Sequence, residues 1–170
     1  MRWMWIDRVV ELETGKRLVA IKNVSLAEEH LHDHFAASGD TPALPVMPAS
    51  LIIEGMAQSA GILVGHAEGF REKVILAKVS RAELSCDAPA GITIRYTATV
   101  ERMDEAGAST SGVVEFLDAA TGRAEEVGTI DLMFAHIDHN RSGVVFPEHN
   151  FVFGEGFKTL LRTSGVELSG

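Results

Sequence analysis

One carboxylate lies in the most apolar part of this chain. The 25 residues from 41 to 65 contain a single formal charge, that of Glu54. Because burial in an apolar environment raises the pKa of a carboxylic acid, we expect Glu54 to be desolvated and to hold a proton easily. An acid of this kind either has a partner or takes part in proton transfer.

A cluster of histidines precedes this segment and could supply that partner. His30, His32 and His34 lie with Asp33 within five residues, a density that suggests a metal site. The spacing is one residue shorter than the HxHxDH zinc motif, and the later histidines do not complete a recognisable set of ligands. We therefore expect no metal, with His30 and His32 solvated in a loop. A zinc site is the less favoured alternative.

The segment that carries Glu54 is predicted to be a helix enclosed by the rest of the fold. Pro48 suits the first turn, Ser50 can cap it, and the helix runs to about residue 67. Apolar residues occupy nearly all of its sides, which is typical of a buried helix. One face carries Glu54, Gln58, Gly61 and Gly65.

Alternating apolar and polar residues predict strands on both sides of this helix. Residues 8–12 and 17–24 indicate a hairpin, and residues 26–49 form a long loop of the kind that is usually functional. After the helix, short turns join four further strands in a predicted antiparallel meander, at residues 73–84, 92–102, 109–117 and 126–137. The pattern indicates an α+β fold in which a curled sheet wraps one helix. Residues 138–170 form a tail with a short helix at 156–162.

Charge and composition exclude several classes of function. The net charge is −9 and the pI about 5.2, so the chain lacks the basic balance of a nucleic-acid-binding protein. Prolines interrupt the apolar run at 41–65, and what remains is too short to span a membrane. The single cysteine, Cys86, cannot form an internal disulfide, and the start of the chain lacks the pattern of a signal peptide. We expect a cytoplasmic protein.

Three sequence motifs resemble a known family. His34-Phe35 is followed by Pro45-Val46-Met47-Pro48 and then by a helix that contains Glu54-Gly55-Met56-Ala57-Gln58. The order is similar to that in the 3-hydroxyacyl-(acyl carrier protein) dehydratases of the hotdog fold, whose signature is HFP, then P-x-x-P-G-V-L, then E-A-x-A-Q. The resemblance covers about residues 3–137. It implies a hotdog domain over 1–137, with residues 138–170 as an extension packed on it.

The resemblance also implies a site and an assembly. His34 corresponds to the catalytic histidine and Glu54 to the catalytic glutamate, and the two usually meet across the interface of a homodimer, which can assemble further as a trimer of dimers. A glutamate at this position, in place of aspartate, indicates a dehydratase that does not also isomerise the double bond. The substrate would be a 3-hydroxyacyl thioester of acyl carrier protein or coenzyme A, and no cofactor is implied.

The chemistry assigns a role to each residue of the site. His34 takes a proton from C2 while protonated Glu54 gives one to the leaving hydroxyl, although the reverse assignment stays open. Backbone N–H groups near Ala49, at the helix start, would stabilise the enolate. We expect Gln58 to orient Glu54 or to satisfy local backbone groups. Phe35 and Pro48 complete the substrate-binding set.

Several departures from the family pattern keep other functions open. Ala49 replaces the glycine that follows the second proline, and six extra residues separate Phe35 from Pro45. A hotdog thioesterase or enoyl-coenzyme A hydratase, with Glu54 activating water, is one alternative, and a non-catalytic acyl-binding protein is another. An acidic carrier protein would need a basic patch, for which the candidates are Lys73, Lys78, Arg81 and Arg95.

Overall fold

The fold is one curled six-stranded sheet around a long helix, seen here in a computed structural model. The structure describes residues 3–33, 35–137, 147, 150 and 152–166. The strands are β1 (Arg8–Glu13), β2 (Arg17–Asn23), β3 (Val46–Met47), β4 (Val74–Leu84), β5 (Ala88–Pro89), β6 (Ile92–Asp104), β7 (Gly107–Asp118) and β8 (Arg123–His136). The helices are α1 (Glu29–Asp33), α2 (Ala49–Ala67) and α3 (Glu155–Thr163).

The sheet has the strand order β1-β2-β6-β7-β8-β4, and all of its pairs are antiparallel. The predicted hairpin is confirmed, as are all four long strands and the helix near residue 156. The meander is confirmed only for β6, β7 and β8. Strand β4 pairs with β8 at the edge, because residues 85–91 leave the sheet and cross to β6 through β5, which pairs with β3.

The strand sequences alternate between the core and the outer face of the sheet. Along β7, buried and half-buried residues follow one another with a period of two, as expected for a strand with one face against the core. The inner face packs on α2, whose Ile52, Met56, Ile62 and Leu63 are all fully buried. Burial of these large apolar side chains is the main driving force for wrapping the sheet around the helix.

A close contact between α2 and β6 fixes the depth of the helix in the sheet. A Cβ atom on Gly55 would lie 2.4 Å from the Tyr96 hydroxyl oxygen, so only glycine fits there. Tyr96 is fully buried, and desolvation, with a smaller contribution from Asp7, raises the pKa of its phenol. The glycine therefore allows a tyrosine, and not a smaller residue, to fill the space between helix and sheet.

The C-terminal part of the chain packs on the first hairpin and on the end of α2. Leu160 and Leu161 of α3 are buried, and the Ser164 hydroxyl accepts a hydrogen bond of 3.0 Å from the Val9 amide. That amide lies where the β1–β2 register shifts, so Ser164 satisfies a donor near the bulge. The division of the chain at residue 137 stays a prediction. In the described ranges, no helix is both long and apolar enough to cross a membrane.

Candidate active site

Glu54 lies on the side of α2 that the sheet leaves open. Its side chain is exposed, as is that of Ser50 one turn earlier. The prediction that Glu54 is buried is wrong for the single chain. The run is apolar because most of α2 is buried in the fold, whereas Glu54 lies on its exposed side.

Gln58 holds the Glu54 carboxylate from one turn further along α2. Its Nε2 donates to Glu54 Oε1 at 3.0 Å and to the Trp3 carbonyl at 2.7 Å, while its Oε1 accepts from the Trp5 amide at 2.9 Å. Because the Trp5 N–H must meet an oxygen, it fixes the orientation of the amide and directs Nε2 at Glu54. Gln58 therefore does both things that the sequence suggested: it contacts Glu54 and it satisfies backbone groups.

The histidine cluster lies on a short helix beside the N-terminal segment. His30 is half-buried, and its ring packs edge-on against Trp5 with a centroid distance of 5.1 Å. The expectation of a solvated loop is therefore wrong for His30, since α1 is anchored by its buried Leu31. His32 is exposed, as expected, and its ring contacts the Leu26 carbonyl. His34 lies outside the described residues.

An ion-pair cluster fixes the segment that leads to α1. Lys22 is buried, and its Nζ lies 2.5 Å from Glu28 Oε1 and 3.1 Å from Asp7 Oδ1. The second Glu28 oxygen accepts from the Ser25 amide. A buried charge with two partners of opposite sign resists rearrangement, because breaking the pairs would leave the charge unsatisfied. The chain therefore enters the histidine cluster from a fixed point on β2.

The start of α2 is capped from another part of the chain. Ser50 lies inside the helix and the N-cap residue is buried Pro48, which makes no side-chain capping bond. The cap comes from Asp87, whose Oδ1 accepts the Ala49 N–H at 2.7 Å. The prediction that Ser50 caps the helix is wrong, and the Ala49 N–H that we expected to be free for an enolate oxygen is occupied by a carboxylate.

The extra residues after Phe35 form a loop that closes on itself. The Phe35 carbonyl accepts the Leu44 N–H at 3.0 Å, and Ser38 and Thr41 form a two-way bridge inside the loop. Phe35 itself is 37% exposed. The insertion is therefore an exposed loop that precedes α2 in the chain. The hydrogen bond between Leu44 and Phe35 holds its two ends together.

Two further predictions concern charged groups. The described ranges contain no cluster of three or more His, Cys, Asp or Glu residues arranged to hold a metal ion. Of the four candidates for a basic patch, Lys73 is buried, Arg81 pairs with Asp131 at 3.0 Å, and Lys78 is exposed. Arg95 forms two hydrogen bonds to Glu115, which lower the pKa of that carboxyl.

Sequence reasoning missed Asp87 and the N-terminal tryptophans. Asp87 is 38 residues from its partner Ala49, and it reaches the helix start only because β5 pairs with β3. The tryptophans act through their backbone N–H and carbonyl groups, which carry no sequence signal.

Comparison with known proteins identifies relatives along most of the chain. The model of the FabA-like domain matches residues 2–120. The 3-hydroxyacyl-(acyl carrier protein) dehydratase FabZ of Listeria monocytogenes is 32% identical over 137 residues, which are 80% of this chain and 87% of that protein. FabZ of Magnetococcus marinus is 48% identical over 66 residues, but the match spans only 39% of either protein.

Solved structures show the same fold at low sequence identity. The dehydratase heterocomplex ApeI:P of Xenorhabdus doucetiae matches with a TM-score of 0.58 and 15% identity, over 83% of this chain and 91% of that one. An acyl-coenzyme A hydrolase of Staphylococcus aureus matches with a TM-score of 0.56 and 12% identity, over 91% and 87%. The sheet wrapped around α2 is therefore the hotdog fold, as predicted, and the chain belongs to the FabA-like family of 3-hydroxyacyl-(acyl carrier protein) dehydratases.

Proposed function

We propose that this protein removes water from 3-hydroxyacyl thioesters to give trans-2-enoyl thioesters, in fatty-acid or related acyl-chain synthesis. The observation that carries the proposal is the Glu54 carboxylate on the open side of α2, held by Gln58 at 3.0 Å. Its relatives named FabZ support the reaction. The substrate is then an acyl thioester, with acyl carrier protein as the carrier and coenzyme A as the alternative.

In this mechanism His34 and Glu54 move two protons. His34 accepts the proton from C2, and the resulting electron pair forms the double bond to C3. The C3–O bond breaks while protonated Glu54 donates to the leaving oxygen, so the products are the enoyl thioester and water. Because Gln58 donates to Oε1 of Glu54, that oxygen acts as an acceptor and Oε2 is the oxygen that faces the substrate hydroxyl.

We also propose that the active unit is a homodimer joined along β4. This strand is the edge of the sheet, and every residue from Ile75 to Glu83 is exposed. Its large apolar side chains are open to solvent: Ile75 is 37%, Leu76 40% and Val79 41% exposed. A long edge with unpaired backbone groups and apolar side chains favours pairing with a second copy.

The dimer supplies what the single chain lacks at Glu54. In one chain the carboxylate is open to water, whereas a proton donor near neutral pH needs a desolvated acid. A partner subunit that covers the open side of α2 would exclude this water and bring its own His34 to the site. We place this enzyme in the cytoplasm, a reducing compartment that suits its single, exposed Cys86.

Incubation of the purified protein with a 3-hydroxyacyl thioester tests this function directly. Dehydration gives the ultraviolet absorbance of an enoyl thioester, and the Glu54→Gln variant should lose that signal, because the general acid contributes about 10² to 10⁴ in rate. Release of free thiol without enoyl absorbance would instead indicate a thioesterase. If neither product forms, the chain is an acyl-binding protein and the proposal fails.

A further inference from the structure

The open side of α2 forms a strip that starts at the proposed catalytic carboxylate. Gly61 and Gly65 follow Glu54 by 7 and 11 residues, which are close to two and three full helical turns. The strip is exposed at Glu54 and half-buried at Gly61. The Gln58–Trp3 hydrogen bond lies one turn after Glu54, and the Phe134 ring of β8 is the nearest neighbour at Gly61.

The contacts made by the glycines of α2 differ along the helix. Gly55 and Gly65 have no room for a methyl group, since a Cβ atom there would lie 2.4 Å from Tyr96 and from Phe153, respectively. At Gly61 the nearest atom belongs to Phe134, at an ordinary contact distance of 3.6 Å. A glycine inside a helix costs about 1 kcal/mol relative to alanine. Contacts within this chain explain that cost at Gly55 and Gly65. At half-buried Gly61 a methyl group would fit beside the Phe134 ring, so the contacts of the described residues do not explain the glycine there.

Phe153 closes the far end of the strip. Its ring covers Gly65 and is 6% exposed. It packs against Phe70 and Phe157 with centroid distances of 4.9 and 6.0 Å. The Asn150 side chain fixes the approach, because its Nδ2 donates to the Phe70 and Glu72 carbonyls while its Oδ1 accepts the Val152 N–H. These contacts make the end of the strip an aromatic wall.

We propose that the acyl chain of the substrate runs from Glu54 over Gly61 and ends against Phe153, which makes Phe153 a residue that limits chain length. This inference rests on the function proposed above. The reacting carbons sit at Glu54, so the hydrocarbon must leave along a surface continuous with it, and the strip provides that surface. Eleven helical residues span about 16 Å, which an extended chain of about a dozen carbon–carbon bonds would fill.

The wall comes from a part of the chain outside the matched family region. The match to the FabA-like domain ends at residue 120, whereas Phe153 lies just before α3 in the C-terminal tail. Gly61 therefore lies in the part of the chain that is shared with the family, whereas Phe153 lies in the C-terminal extension. This arrangement gives the extension a defined role: it sets the longest acyl chain that the shared site accepts.

Two substitutions that act in opposite directions test the proposal. Initial rates are measured with 3-hydroxyacyl thioesters of four to sixteen carbons for the wild type, Phe153→Ala, Gly61→Leu and the control Phe157→Ala. Phe153→Ala should raise kcat/KM about tenfold for substrates two to four carbons longer than the wild-type optimum, because additional methylene groups become buried. Gly61→Leu should shorten the optimum. Phe157→Ala, which removes a ring that packs on Phe153 but leaves the Phe153 ring over Gly65 in place, should leave it unchanged.

The outcomes separate this inference from the proposed function. A wild type that forms no enoyl product overturns the function itself. An active wild type whose chain-length optimum is the same in Phe153→Ala and in Gly61→Leu overturns only the assignment of the strip. If Phe153→Ala loses its fold, judged by its melting temperature, Gly61→Leu decides alone, provided that its own melting temperature matches the wild type, because Gly61 is half-buried and a Cβ there would meet Phe134 at an ordinary contact distance of 3.6 Å. Equal shifts in Phe157→Ala would also contradict the inference, because they would reflect general loosening of α3.

Discussion

At the scale of single residues, the Asp87 carboxylate at the start of α2 has a direct consequence for the proposed chemistry. Asp87 accepts the Ala49 N–H at 2.7 Å, at the point where an enolate oxygen would need a donor. A negative charge at a helix N-terminus stabilises the helix. The same charge would compete with the thioester oxygen and repel the enolate. We therefore expect Asp87 to stabilise the free protein and to oppose substrate binding.

Substitution of Asp87 separates these two effects. Asp87→Ala should lower the free energy of unfolding by about 1 kcal/mol, as for the loss of other N-caps, while it decreases KM for the thioester without decreasing kcat. Asp87→Asn, which keeps an acceptor without the charge, should retain most of the stability. Denaturant unfolding and steady-state kinetics provide the measurements. A higher KM in Asp87→Ala would mean that the carboxylate positions the substrate and does not compete with it.

The sequence could predict the contact between Glu54 and Gln58, but not the environment of these two side chains. Glu54 and Gln58 are four residues apart on one helix, so their contact follows from helical geometry alone. Exposure of Glu54 could not be predicted, because an apolar helix does not reveal which side the sheet leaves open. The Asp87 cap depends on the pairing of β3 with β5, strands of two residues each that carry no periodic signal.

At the scale of elements, the edge strand β4 carries the proposed assembly. Lysine at Val79 would place a charge among the exposed apolar side chains of this edge, and such charges block edge pairing. Val79→Lys should therefore dissociate the dimer and reduce activity at least tenfold, since the proposed site uses residues of both subunits. Sedimentation velocity and the dehydration assay test both effects.

A matched control exists at the opposite edge of the same sheet. Val10 of β1 is 51% exposed, and Val10→Lys introduces the same charge on the other outer strand. This variant should remain dimeric and active. Dissociation of the Val10→Lys variant, or a dimer that survives in Val79→Lys, would show that the subunits do not join along β4.

At the scale of the whole molecule, the alternation of apolar and polar residues predicted which segments form the sheet, but not the order of the strands within it. Strands β6 and β7 alternate clearly between buried and half-buried residues, and most of α2 is buried, so the wrapped fold follows from burial. The placement of β4 beside β8 could not be read from the sequence, because strand order depends on contacts between distant residues. For the same reason, the docking of α3 on the first hairpin became visible only in three dimensions.

The central claim is that His34 of one subunit and Glu54 of the other form one active site, and a complementation experiment tests it most directly. His34→Ala and Glu54→Gln chains carrying different affinity tags are co-expressed, and the heterodimer is isolated by both tags. It should contain one intact site and one doubly substituted site, and should recover about half of the wild-type dehydration rate while each homodimer is inactive. A folded heterodimer that is as inactive as both parents would contradict the account.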